Sequence, residues 1–272
     1  MDGPGSPPQT TPQYEGYRMF LKSISGGAIR TLFETLKEVL HDVSLVFDAT
    51  GIKLVTMDGS RCALIYLKLH ADAFEEFHCP GPLHCGLNMS NMFKLLRTMG
   101  SHDTIVMYAT TQEVNELGIR ITNVERHSTT DFRLKLLDVD TETIEIPAVQ
   151  FDAVLTLPSV YFQRICRDML NLADTMSIST RDDELILSCD GDFARQETVI
   201  SAADECMNVH TAAATQVQGR YSLKYLTLFC RASSLSTTLE MFLKEAYPLV
   251  IKFNVASLGE IRFCLAPKMD DL

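Results

Sequence analysis

The chain has 272 residues, of which 46% are hydrophobic and 22% charged, and a formal net charge of −11. That length and apolar content can bury a substantial core in one large domain or two ordinary ones. Overall acidity argues against a protein that coats nucleic acid with its whole surface. No apolar run approaches the ~18 residues of a membrane span and no signal peptide is evident, so a soluble intracellular protein is expected, with its eight cysteines as buried thiols.

Residues 1–18 carry four prolines and three glycines with little to bury, and read as a flexible tail. A helix is expected over about Ile29–His41, where Ile29, Leu32, Phe33, Leu36 and Leu40 form an apolar stripe after the turn Gly26-Gly27. Strands follow at Ser44–Phe47, Ile52–Met57 and Ala63–Leu69. A second helix, about Ser90–Met99, stops at Gly100 and precedes strands Thr104–Ala109, Glu116–Thr122 and Thr130–Leu136. Leu137–Gln150 has four acids, two isoleucines and Pro147 without a helical period, and reads as an extended connector.

The same order then returns. A third helix, about Ser159–Leu172, precedes strands Thr175–Ser179 and Glu184–Cys189. A fourth, about Ser222–Ala232, precedes strands near Thr237–Phe242 and Leu249–Val255. Leu36-Lys37-Glu38-Val39-Leu40 aligns with Cys166-Arg167-Asp168-Met169-Leu170, and Ile52 to Gly59 aligns with Glu184 to Gly191. The simplest account is a strand-rich unit with two helices, written twice. The expected fold class is α+β, with two similar domains of mostly antiparallel sheet at 19–136 and 151–267, the connector at 137–150 and a short tail at 268–272.

Each expected helix carries a basic pair spaced by three or seven residues, which puts both members on one side: Arg30 and Lys37, Lys94 and Arg97, Arg164 and Arg167, Lys224 and Arg231. Any single pair could be an ordinary solvated face, and Glu34 and Asp168 dilute two of them. Four pairs at equivalent repeat positions in an acidic chain point instead to a local surface for a polyanion. Such a row would follow phosphates without reading bases. No aromatic residues interleave with the charges, which argues against base stacking on single strands.

Other motifs are weaker. His78-Cys79 and His84-Cys85 offer four zinc ligands in eight residues, but adjacent residues on an extended chain point to opposite faces, and Pro80-Gly81-Pro82 reads as a strand connection. Asp138/Asp140 and Asp182/Asp183 read as solvated acids rather than a cation site. No phosphate loop, nucleophile elbow, zinc-protease motif or dinucleotide fingerprint is present, so the chain reads as a binding protein without cofactor or metal.

Ile165-Cys166-Arg167-Asp168, the connector Lys135-Leu136-Leu137-Asp138-Val139-Asp140 through Ile144-Glu145-Ile146-Pro147, and Leu265-Ala266-Pro267-Lys268 resemble the DNA sliding clamps of the proliferating cell nuclear antigen family. Weaker matches at Leu36-Lys37-Glu38, Val55-Thr56-Met57-Asp58 and Tyr247-Pro248-Leu249-Val250 extend the resemblance over about residues 19–269. It implies a non-enzymatic homotrimer, closed head to tail with helices inside and sheets outside, that encircles duplex DNA in the nucleus or a viral replication compartment. The DNA-facing positions match Arg30, Lys37, Lys94, Arg97, Arg167 and Arg231, with Arg164 and Lys224 beside them. Polymerase, ligase and nuclease partners would dock short peptides in a pocket of Met57, Leu64, Ile144, Ile146, Pro248, Ala266 and Pro267, and a separate clamp loader would open the ring. Subunits would pair an edge near Thr130–Lys135 with one near Phe193–Ile200.

This sequence departs from the family in Cys264, where an aromatic residue is usual in the pocket, and in Arg61, where histidine is common. It also has no lysine at Thr180–Asp183 and adds the Pro-rich tail. Two alternatives accompany the homotrimeric processivity clamp: a subunit of a heteromeric checkpoint-type clamp, and a small zinc-dependent enzyme centred on His78–Cys85.

Overall fold

The computed structural model describes residues 14–140, 144–181, 184–201, 208–211 and 217–268. Most of the expected N-terminal tail, Asp182-Asp183 and all of the C-terminal tail but Lys268 lie outside the described residues.

The first copy runs β1 (Tyr17–Ser23), α1 (Gly26–Val39), β2 (Asp42–Asp48), β3 (Gly51–Met57), β4 (Ala63–His70), β5 (Glu76–His78), β6 (Leu83–Asn88), α2 (Met89–Leu96), β7 (Thr104–Thr110), β8 (Glu116–Asn123) and β9 (Ser128–Lys135). The second runs β10 (Ala153–Pro158), α3 (Ser159–Leu170), β11 (Thr175–Arg181), β12 (Glu184–Asp190), β13 (Arg195–Ser201), β14 (Asn208–Thr211), β15 (Gln218–Ser222), α4 (Leu223–Phe229), β16 (Thr238–Leu243), β17 (Leu249–Val255) and β18 (Gly259–Leu265). The two orders are identical, element for element.

Three local differences from the sequence reading have physical causes. Strand β1 begins inside the expected tail, because Met19, Leu21 and Ser23 alternate inward and are fully buried. Just before it, Tyr14 stacks on His78 with ring centroids 4.6 Å apart. Helix α1 starts at Gly26 rather than after it, and a side chain there would meet the Asp103 carbonyl at 2.5 Å. The fourth helix stops at Phe229 and tightens into a 3₁₀ turn, Cys230–Ser234, so Lys224 and Arg231 do not share one α-helix.

The repeat is also one residue out of the register suggested by the two Asp-Gly pairs. Ile52 and Leu54 face inward on β3, whereas Leu185 and Leu187 do so on β12. Gly51 therefore corresponds to Glu184, and Asp58 to Gly191. A slip of one residue moves every side chain to the other face of a strand, so burial decides the alignment where short motifs mislead.

Pairing repeats as well. Strand β1 lies between β5 and β7 as β10 lies between β14 and β16, and β2 lies between β3 and β6 as β11 lies between β12 and β15. Each copy thus holds a five-stranded and a four-stranded antiparallel sheet. The five strands of the second copy fuse with the four of the first through β18 and β4, giving one nine-stranded sheet in the order β14-β10-β16-β17-β18-β4-β3-β2-β6. Two unfused sheets remain, ending in the open edges β9 and β13.

The fused junction is apolar on the helix side, where Ile65 opposes Phe263 and Leu67 opposes Ile261. Phe263 stacks on Phe229 of α4, with centroids 4.6 Å apart. Asp58, 6% exposed at the β3–β4 turn, receives the backbone N–H groups of Ser60, Cys62 and Ala63 and the Tyr225 hydroxyl of α4 at 2.6 Å. Burial alone would raise the Asp58 carboxyl, but these hydrogen bonds outweigh it and hold it below its ordinary 3.8. A depressed carboxylate stabilises the fold above its unfolded pKa, and that stability is lost as pH falls through the folded value. Tyr225→Phe is expected to cost about 1–2 kcal/mol at neutral pH. Thermal melts from pH 7 to 3 check both points: the variant should melt lower at pH 7 and converge on wild type in acid. A constant gap across that range would contradict the linkage.

Candidate nucleic-acid interface and partner groove

The four helices form one layer. Helix α1 packs between α2 and α4, and α4 with its 3₁₀ extension packs against α3, giving the row α2–α1–α4–α3. Each helix buries an apolar stripe on the sheets, such as Met89, Met92 and Leu96 of α2 or Phe162, Ile165, Cys166 and Met169 of α3. The basic residues occupy what remains.

Six of the eight expected DNA-facing side chains, those of Lys94, Arg97, Arg164, Arg167, Lys224 and Arg231, are exposed. Arg164 stands 80% exposed, with Asp168 one turn away at 3.8 Å, a pair too open to quench it. Lys94 donates to Asn91 at 3.1 Å on its own helix.

Arg30 and Lys37 differ from the others. The Arg30 guanidinium donates to the Met99 carbonyl at 2.6 Å, just beyond the end of α2. Lys37 pairs with Glu38 at 2.6 Å and lies over the Phe93 ring of α2, 4.7 Å from its centroid. Both are half-buried and clamp α1 to α2. Spacing alone cannot tell a basic residue that ties two helices together from one that faces solvent.

The opposite face of the nine-stranded sheet carries a groove. Side chains alternate along a strand, so Cys264 and Arg262 point away from the helices that Phe263 and Leu265 touch. Register sets Met57 beside Leu64, Leu64 beside Cys264 and Cys264 beside Val250, a row across four strands from both copies. The next row is Val55, Tyr66, Arg262 and Lys252. The connector crosses above these rows. Its first turn is pinned where the Leu137 N–H donates to the Gly86 carbonyl at 2.9 Å; a side chain at 86 would meet the Leu137 carbonyl at 2.0 Å.

Three cavities open along the connector. One of about 210 Å³ is lined by Met57, Leu64, Ile146, Pro248, Cys264 and Ala266, among others. One of about 770 Å³ takes in Ile144, Ile146, Tyr66, Phe151, Tyr247, Arg262 and Cys264. A third, about 290 Å³, lies between the β3–β4 turn and Val139, Asp140 and Ile144. Six of the seven expected pocket residues therefore line these cavities, and Pro267 does not. Phe151, Tyr66 and Tyr247 were missed. Tyr66 was within reach of the sequence, since it shares a strand face with Leu64.

The His78–Cys85 segment is built into the sheets instead of gathering ligands. Cys79 donates to the Gly81 carbonyl at 3.1 Å, Cys85 is fully buried on β6, and His84 faces out. Burial pushes the Cys79 thiol up to about 11 and the Cys85 thiol up to about 12, the opposite of what a zinc thiolate requires. Among the described residues, no three or more His, Cys, Asp or Glu side chains are grouped to hold a metal ion.

A doubled domain with its helices in one layer and its sheets joined behind them is the DNA-clamp fold. Residues 19–143 match the N-terminal domain of proliferating cell nuclear antigen, and residues 145–268 match its C-terminal domain. The chain is also 40% identical over 255 residues to the "Probable DNA polymerase sliding clamp 1" of Paramecium bursaria Chlorella virus 1, covering 91% of this chain and 95% of that relative. The chain belongs to the proliferating cell nuclear antigen family.

Proposed function

We propose that this protein is a DNA polymerase processivity factor: three copies close head to tail into a ring that encircles duplex DNA and tethers replication and repair proteins to it. Tethering needs no chemical step, so the reading requires neither catalytic residue nor cofactor. Polymerase, ligase, nuclease and clamp loader would reach it through short peptides laid in the connector groove. The work place would be the nucleus or a viral replication compartment.

One observation carries the assembly. The β4–β18 junction inside the chain has an unused counterpart, because β13 corresponds to β4 and β9 to β18. Carrying the internal register across, Gln196 of one copy would oppose Phe132 of the next, and Thr198 would oppose Thr130, as Ile65 and Leu67 oppose Phe263 and Ile261. The same operation sets α3 beside α2 of the next copy, extending the helix row. A contact that joins one end of a subunit to the other end of its neighbour gives a closed ring when the rotation per copy is a whole fraction of a turn, and a filament when it is not; the ring reading takes the former. The exposed basic residues of α2, α3 and α4 would then line the channel.

Retention on loaded DNA tests this. On a closed circle the protein should persist through a wash in moderate salt, and cutting the circle once should release it within the time needed to slide to an end. Equal loss from both forms would defeat the ring mechanism.

A further inference from the structure

The cavities of about 210 and 770 Å³ meet at Cys264, whose side chain lines both; the larger is the far chamber. They also share Ile146, Pro147 and Tyr247 as a common roof and wall. Cys264 sits in the middle of the apolar row, between Leu64 and Val250, with Arg262 two residues along the same face. Burial pushes its thiol up to about 11, so at neutral pH it is a small, uncharged floor. A short side chain here leaves the throat between the chambers open, and a ring at this position would fill it.

The far chamber is not purely apolar. The Arg262 guanidinium lies over the Tyr66 ring, 5.6 Å from its centroid, and Glu260 neutralises it at 2.5 Å. Lys53, one row further on along β3, is exposed and makes no ion pair among the described residues. Glu145 of the connector is the carboxylate on the lining of both chambers.

We propose that Cys264 sets the specificity of the groove: it admits a peptide whose anchor is a tryptophan, the indole passing over Cys264 into the far chamber, with a carboxylate two or three residues beyond it meeting Lys53. This rests on the reading of the groove as a peptide site. The indole buries more apolar area than leucine and stacks a second ring on Tyr247 or Tyr66. The ammonium of Lys53 supplies the charge complementarity that fixes the direction of the peptide. An extended strand advances about 3.3 Å per residue, so two or three residues cover about 7–10 Å, enough to carry a glutamate from the second row, beside Tyr66 and Arg262, to Lys53 in the third.

Fluorescence anisotropy with the full-length protein tests it. The probes are three labelled peptides of one sequence: Trp anchor with Glu, Leu anchor with Glu, and Trp anchor with Gln. Wild type should bind the Trp-Glu peptide about tenfold tighter than the Leu-Glu peptide. Cys264→Phe should abolish that ratio while still binding the Leu-Glu peptide, which shows that the variant is folded. Cys264→Ala should keep the ratio. Lys53→Gln should remove the advantage of Glu over Gln without touching the Trp-to-Leu ratio. Equal binding of Trp and Leu peptides by wild type, or a ratio unchanged in Cys264→Phe, overturns the proposal and leaves the peptide site standing. No binding of any peptide by wild type overturns the peptide site itself.

Discussion

Phe193→Asp is expected to take the protein apart into single chains without unfolding them. Wild type should sediment at three times the 30.4 kDa chain mass, and the variant at the mass of one chain. Phe193 precedes β13 and is 78% exposed in the isolated chain, so its loss should change the fold's stability by no more than about 0.5 kcal/mol. Its counterpart in the first copy is Cys62, whose carbonyl accepts the Ala266 N–H at 3.0 Å. By the same operation, the Phe193 carbonyl would receive the Lys135 N–H of the next copy, bringing the phenyl ring into the subunit junction. Removing a buried aromatic anchor there costs about 2 kcal/mol or more, roughly a thirtyfold weakening at each junction. An aspartate would add the cost of a desolvated carboxylate. Val199, half exposed on the same strand, would be covered in the same event. Circular dichroism and the thermal melt should match wild type. A variant that still sediments as a trimer would place the junction elsewhere. A wild type that is already a single chain, trimerising only with other proteins, would favour the heteromeric clamp.

How much of this was legible in the residues differs between the two faces of the molecule. The helices were readable because each must bury a stripe at a period of 3.6, and Leu32, Phe33 and Leu36 of α1 or Phe162, Ile165 and Met169 of α3 show it directly. The strands of the repeat were readable wherever one side is buried and the other wet. Strand β1 was hidden because its alternation, Met19, Leu21, Ser23, is short and follows a tail-like composition. Strand β13 carries only Ile200 as a buried residue, because it is an edge strand whose other inward positions, Gln196 and Thr198, would be covered only in the proposed ring. An edge that is completed by another copy does not announce itself by hydrophobicity within one chain. The roles of Arg30 and Lys37 were illegible for another reason: their partners, Met99 and Phe93, are more than fifty residues away and meet them only through the packing of α1 on α2. The groove was half legible. Ile144 and Ile146 declared a face of the connector, but Phe151 and Tyr247 come together there only in the fold.

Reversing Lys94, Arg97, Arg167 and Arg231 to glutamate should abolish most salt-sensitive binding to DNA while leaving the assembly intact. All four side chains are exposed on the helix layer, and none makes an ion pair among the described residues. Arg30 and Lys37 are left out because they hold helices together, so the quadruple variant isolates the field from the fold. Each phosphate that the variant no longer neutralises flattens the slope of log K against log salt by about 0.9, and at low salt the affinity should fall at least a hundredfold. The control variant is Arg30→Gln, which should lower the melting temperature by loosening α1 from α2 and change the salt slope by less than one phosphate would. The chain as a whole repels DNA with its net charge of −11, so binding that survives the quadruple change cannot come from a diffuse basic surface. An unchanged slope in the variant would therefore remove these helices from the DNA face. A slope abolished with the ring mass retained would mean that the acidic exterior keeps the duplex off the outside, and that only the channel accepts it.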